Sequence, residues 1–258
     1  MVKNKIETGT GFVVLLDALG MKEKMKREES LNIIEIWNKL IDDIEYSFKK
    51  DGLKKIDFDF RAFSDTLIIV FKQVEYENDY DFYFDVQYVS RLVSEIFLLA
   101  LHKGLLLRGA ISHGEYCLSE NMIAGRAMNE VAAWYDQFEL IGIILTPNFS
   151  LLMDNLFRNN REYKSKPCYL FKEPPIIFKN GKKMQLWIIN WVHFLDKYEI
   201  IDTDIDKDKV SELLFQSNLI DPSIAVKYDN TYQLSEMCGL FEKANPDKYD
   251  FLEEEENR

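Results

Sequence analysis

Apolar and polar positions along the chain follow two rhythms, and the switches between them mark out the elements. Phe12, Val13, Val14, Leu15 and Leu16 form an unbroken apolar run that ends at Asp17, which reads as a buried strand over 12–17. From about 22 to 50 the spacing turns helical, with Leu31, Ile34, Trp37, Leu40, Ile41 and Ile44 at three- and four-residue steps and Gly52 as a stop. IDFDFRAF at 56–63 alternates apolar and polar, as a half-buried strand does, and TLIIVF at 66–71 is a second strand. Only Ser64 and Asp65 separate them, which predicts a hairpin with Asp65 at or beside its tip. A helix follows over 80–103, with Phe84, Tyr88, Leu92, Ile96 and Leu99 on one stripe and Gly104 closing it. LLLRGAISHGEY at 105–116 is a long strand, and AMNEVAAWYDQF at 127–138 is a short amphipathic helix. IGIILT at 141–146 is again strand, and Pro147 opens another helix. Residues 168–191 predict strand segments with a hairpin turn at Asn180-Gly181.

The order β-α-β-β-α-β-α-β with a β-rich finish predicts an α+β sandwich with a mixed sheet. Beyond about 200 the chain becomes polar, then helical, and ends in an acidic run. The division expected is therefore 1–199 as the catalytic or binding domain and 200–258 as a helical C-terminal extension with an acidic tail.

Charge narrows the partners. Lys plus Arg number 32 and Asp plus Glu 44, a net charge of −12. Such a surface argues against nucleic acid as a partner, because phosphate-backbone affinity needs clustered cations. A small phosphorylated ligand stays open, since a few cations or a metal suffice for it. Cys117, Cys168 and Cys238 show no CxxC spacing, so neither a zinc site nor a disulfide framework is expected. His102, His113 and His193 are scattered. No apolar segment precedes the first strand and no apolar run reaches a membrane span, so we expect a cytoplasmic protein with no signal peptide and no membrane contact.

Asp17 and Asp65 carry the candidate chemistry. Each has a plain reading, as a turn residue or helix cap accepting backbone N–H bonds. Together they have another. A β-α-β return brings the ends of the strands side by side, and two carboxylates there can hold Mg²⁺ or Mn²⁺ with positions left for water and phosphate oxygens.

The stretches FVVLLDALGMK, FSDTLIIVF, LLLRGAISHGE and AGRAMNEVAAWYD, in this order over roughly residues 10–190, resemble the successive motifs of class III nucleotidyl cyclases. The likeness is greater to the bacterial branch that includes the pyrimidine cyclases of Pycsar antiphage defence. The resemblance implies a ferredoxin-type sandwich whose mixed, mostly antiparallel sheet is flanked by helices. It implies a homodimer with active sites at the interface, converting a nucleoside triphosphate to a 3′,5′-cyclic monophosphate and pyrophosphate with two divalent ions, Mn²⁺ or Mg²⁺. Asp17, Asp65 and the Ala18 carbonyl would bind metal. Backbone N–H groups from Leu19, Gly20 and Met21 to Lys22 would cradle phosphates. The ribose 3′-hydroxyl would be the nucleophile, Asn129 would orient the ribose, and a separate effector protein would receive the cyclic product.

Departures from the motif pattern point to the base. The purine-reading positions fall near Asp59, with Arg61 two residues on, and near Met122, so a pyrimidine, UTP ahead of CTP, is expected. Where the family commonly has a transition-state Arg, this chain has Ala133, and Arg126, one turn before Asn129, reads either as its substitute or as a solvated helix-start residue. Lys179 matches a phosphate-contacting Lys in the late hairpin, against a reading as a solvated turn residue. Arg108 is expected to have a structural role or to pair with an acid near the site. Glu115 reads as a strand-end surface charge or as a third acid, and His113 is assigned no chemistry. Trp37, Phe84, Tyr88, Trp134 and Trp187 read as core or dimer packing. Beside the pyrimidine cyclase stand two other functions: a catalytically degenerate nucleotide-binding module, and a palm-like transferase that joins two nucleotides.

Overall fold

The computed structural model describes residues 6–19, 30–50, 57–72, 79–160, 169–172, 174–192, 214 and 225–237. Strand β1 (Glu7–Ala18) extends the apolar run at its N-terminal side. It is followed by α1 (Ser30–Lys50), β2 (Asp57–Phe63), β3 (Thr66–Lys72), α2 (Asp79–His102) and β4 (Leu107–Leu118). A two-residue β5 (Ile123–Ala124), α3 (Arg126–Trp134), β6 (Gly142–Leu145) and α4 (Pro147–Asn159) come next. The late strands are short: β7 (Leu170–Phe171), β8 (Ile176–Ile177), β9 (Lys183–Met184) and β10 (Ile188–Ile189), with α5 (Ala225–Met237) last.

The sheet order is β2-β3-β1-β4-β6-β10-β7, with β5 on β4; the hairpin β8-β9 stands apart. All pairings are antiparallel except β4 with β6. The first four strands, in order β2-β3-β1-β4 with α1 and α2 as crossovers, form the ferredoxin-type α+β arrangement expected. Among the described residues no helix is long and apolar enough to cross a membrane.

Two-residue periodicity divides the sheet into two faces. Phe12, Val14 and Leu16 of β1, with Leu67, Ile69 and Phe71 of β3, pack into a large core with α1, α2 and α4. Val13 and Leu15, with Val70, Ala110 and Ile144, face a smaller core with Ala127 and Val131 of α3 and Leu234 of α5. Asp17 is next in that second series, so it stands where the smaller core's apolar cover ends.

Several expectations change here. Helix α2 is buried on nearly every side from Phe82 to Leu101, while Phe84 of the expected stripe is exposed. Apolar residues all round a helix mean burial all round, which a one-stripe reading understates. In α1 the stripe is covered from Trp37 onward, and Ile34 is exposed. Strand β4 lies two residues later than expected because Lys103–Leu105 close the helix with backbone bonds to Leu99, Ala100 and Leu101. The start of the first long helix, near 22–29, lies outside the described residues, as do Cys168, His193 and Cys238.

Close approach of β1 and β4 requires a glycine at 109. A Cβ there would stand 2.3 Å from the Leu15 carbonyl oxygen and 2.7 Å from a Leu16 methyl. Gly109→Ala should therefore destabilise the fold by about 3 kcal/mol, read by urea denaturation, because rigid strand backbone has to move.

His113 is enclosed by the rings of Phe12, Phe82 and Phe149, with centroids 5.0, 5.0 and 5.9 Å away. Burial lowers its pKa to about 4. The unfolded state then binds the proton better, so the stabilisation is complete above an ordinary His value near 6.5 and is lost as pH falls toward 4. The wild type should lose on the order of 2–3 kcal/mol more than His113→Phe across that window in pH-dependent denaturation.

Candidate active site

Asp17 is carried to the end of β1 by the ladders on both sides, opposite Thr66 on β3 and Arg108 on β4. The β2–β3 hairpin turns through Ser64 and Asp65, with Phe63 paired to Thr66. Ser64 takes φ 57°, a left-handed conformation usually given to Gly or Asn, and this sharp turn sets Asp65 at the tip. The Ala18 N–H donates to the Asp65 carbonyl at 2.9 Å, so the backbones bearing the two acids are joined. Their carboxylates interact: the Asp65 charge is one of the influences that raise the Asp17 pKa.

Burial is the largest of those influences, and the Arg108 guanidinium opposes it. Arg108 Nη2 donates to Asp17 Oδ2 at 2.8 Å, with side chains only 10% and 16% exposed. Arg108 Nη1 donates to the Asp136 carbonyl at 3.3 Å. The Asp136 carboxylate accepts from Lys179 Nζ at 3.0 Å and from Gln137. Burial acts to raise the Asp136 pKa, but Lys179, Gln137 and Arg108 together hold it below the usual range. Tyr135 is raised by burial and by the Asp17 and Asp136 charges. Arg108 thus does pair with an acid of the site. The cluster holds three carboxylates, Asp17, Asp65 and Asp136, against two cations, Arg108 and Lys179.

Sequence reasoning missed Asp136 and Tyr135. The helix was expected to run to 138 but stops at Trp134, and Tyr135–Gln137 turn toward the acids. An Asp just past a helix is so common that its type alone gave no cue.

The other expected residues lie elsewhere or are already engaged. The Leu19 N–H donates to the Leu106 carbonyl at 2.8 Å, so in this structure the sheet takes that donor. Gly20 and Met21 lie outside the described residues. Asp59 is held by Lys72 at 2.7 Å, and Arg61 lies 3.7 Å from it, 2.7 Å from the Phe60 carbonyl and 3.4 Å from the Ser119 carbonyl. Both belong to the second face of the sheet, which Asp17 shares. Met122, in the loop after Ser119, is exposed, as are Arg126 and Asn129 on α3. No described hydrogen bond or ion pair links Arg126, Asn129 or Met122 to Asp17. Ala133 is exposed one turn after Asn129.

Among the described residues no group of three or more His, Cys, Asp or Glu side chains is arranged to hold a metal ion. Asp17 and Asp65, whose charges act on one another, offer hard oxygen donors, and the surplus of negative charge around them suits a divalent cation such as Mg²⁺ or Mn²⁺.

No protein-family model matches the chain, and no curated protein matches it. Solved structures do. The catalytic core of a rhodopsin-guanylyl cyclase with converted specificity, in complex with ATPalphaS, is similar at 14% identity and TM-score 0.47, over 72% of this chain and 98% of that one. The adenylyl cyclase CyaB from P. aeruginosa is similar at 13% identity and TM-score 0.45, over 72% and 95%. An adenylate/guanylate cyclase/hydrolase from Silicibacter pomeroyi is similar at 15% identity and TM-score 0.42, over 72% and 98%. At such scores the chemistry has to be argued from this chain's own residues.

Arg108→Met should raise the Asp17 pKa further, because it removes the guanidinium that opposes burial. Carboxyl-carbon NMR titration of wild type and variant reads that shift directly. The variant should also lose on the order of 3 kcal/mol, as expected when one partner of a mostly buried pair is removed. A raised acid favours the folded state at low pH, so the penalty should shrink as pH falls through the raised value.

Proposed function

We propose that this chain is a nucleotide cyclase, converting a nucleoside triphosphate to its 3′,5′-cyclic monophosphate and pyrophosphate. The single observation that carries the reading is the joining of Asp17 and Asp65: adjacent strand ends, a 2.9 Å backbone bond between Ala18 and Asp65, and carboxylates close enough to affect one another. The motif resemblance along residues 10–190 gives that acid pair its chemical context.

Asp17, Asp65 and the Ala18 carbonyl would hold the divalent ions, whose chemistry is to neutralise phosphate charge and favour ionisation of the attacking 3′-hydroxyl. The chain's own groups do the rest. Arg108 opposes the rise that burial gives the Asp17 pKa. Lys179 stands beside the acids as a cation for the phosphate tail, held by Asp136 until the tail arrives. Arg61, Asp59 and Met122 line the sheet face and loop on which the base would lie, and the absence of the purine-reading pattern favours UTP, then CTP. Arg126 and Asn129 are exposed on α3, where they could serve a second copy's acids; this supports a homodimer with shared sites. An antiphage role with a separate effector is part of the same reading.

With Mn²⁺, the purified chain should form cyclic monophosphate and pyrophosphate from UTP or CTP, identified by mass spectrometry. Asp17→Ala or Asp65→Ala should lower turnover by roughly 10²-fold or more. If none of the four common triphosphates gives a cyclic product, the cyclase reading fails. Ala133, in place of the family's Arg, favours a second reading, nucleotide binding without turnover. Calorimetry separates it, since it requires tight binding of a triphosphate by a chain that never consumes it. A linked dinucleotide in the same mass spectra would point instead to a transferase.

A further inference from the structure

Residues 136–141 run between three neighbours. Toward the sheet, the Asp136 carbonyl accepts a bond from Arg108, which holds Asp17. On one flank the β8–β9 hairpin pairs with the stretch: Glu139 N–H donates to Ile177 O at 2.8 Å, and Lys179 N–H donates to Gln137 O at 2.9 Å. The same hairpin brings Lys179 Nζ to Asp136. On the other flank lies α5.

The contacts of α5 fall on the backbone of this stretch. The Thr231 hydroxyl, 0% exposed, accepts from Ile141 N–H at 2.9 Å and donates to the Lys227 carbonyl at 2.6 Å. Asn230 Nδ2 donates to the Glu139 carbonyl at 2.6 Å, and Lys227 Nζ lies 2.6 Å from Glu139 Oε2. Leu234 joins Leu140 in the smaller core. If space-filling were all that α5 supplied, apolar side chains would suffice. A buried hydroxyl and a side-chain amide directed at main-chain groups instead set where the backbone lies, since a buried N–H left without a partner is costly.

We propose that α5 is a positioning element of the acid site. It fixes the backbone of 139–141, which sets Asp136 and, through it, the two cations Arg108 and Lys179 that face the carboxylates. The C-terminal extension thereby tunes the site without touching substrate. This goes beyond the cyclase reading and draws on it for only one arm of the test.

The first arm needs no nucleotide. Lysines of the full chain are acylated with an N-hydroxysuccinimide ester and followed one by one by mass spectrometry, with the exposed Lys182 as reference. Thr231→Val keeps the shape and removes the hydroxyl; Thr231→Ser keeps the hydroxyl and removes a methyl. Thr231→Val should speed Lys179 acylation about two- to fivefold, the worth of a partly exposed ion pair, and Asp136→Asn should do the same. Thr231→Ser should stay near wild type, which loss of packing alone would not predict. An unchanged Lys179 rate in Thr231→Val, or equal acceleration in Thr231→Ser, overturns the proposal. General unfolding would also expose the buried Lys227; should Thr231→Val do that, Asn230→Ala replaces it, with a smaller acceleration of Lys179 supporting the proposal and none overturning it. In the second arm, cyclase assays with Mn²⁺ should show kcat/KM reduced in Thr231→Val and retained in Thr231→Ser, and the reverse order counts against positioning. Should the wild type form no cyclic product, the cyclase reading falls and the acylation arm still decides this one.

Discussion

Asp17 and Arg108 face one another across β1 and β4, in a largely buried place, where a guanidinium 2.8 Å from the carboxylate opposes the rise that burial gives its pKa. The geometry on either side follows from that pair. The two strands approach closely enough for it because residue 109 has no side chain. The other arm of the guanidinium reaches the Asp136 backbone, and Asp136 takes hold of Lys179. One ion pair thus connects the first strand of the sheet to a hairpin more than a hundred residues later. A mostly buried pair of this kind is costly to break and adds little net stability, so its value lies in fixing where the neighbouring charges stand.

The sheet's two faces explain why charge gathers where it does. One is closed by α1, α2 and α4 over a large, mainly apolar core. The other is covered by α3 over β4 and β1. Toward β3 and β2 it carries Lys72, Asp59 and Arg61, bound to one another by ion pairs.

Much of this was legible in the chain itself. The apolar run before Asp17 and the alternation in 56–63 encode strands directly, because side-chain period is a local property. The two residues between the second and third strands left a tight hairpin as the natural connection, which put Asp65 at a tip. The part that escaped depends on distant partners. Nothing local told that α2 would be enclosed on nearly every side, or that the late strands would shorten to two residues each. Arg108 reads either as a structural cation or as the partner of an acid near the site; that its partner is Asp17 is a matter of register between β1 and β4. Asp136 gave no local signal at all, since its importance comes from Arg108, 28 residues before it, and Lys179, 43 residues after it.

The contact between Ile141 and Thr231 has a further consequence for the order of events during synthesis. Strands and helices through β6 can close upon themselves while translation continues, but the wall that steadies 139–141 emerges some ninety residues later. A nascent chain therefore carries its acids together before their surroundings are set. The bonds from α5 to Glu139 and Ile141 form only after that helix has left the ribosome.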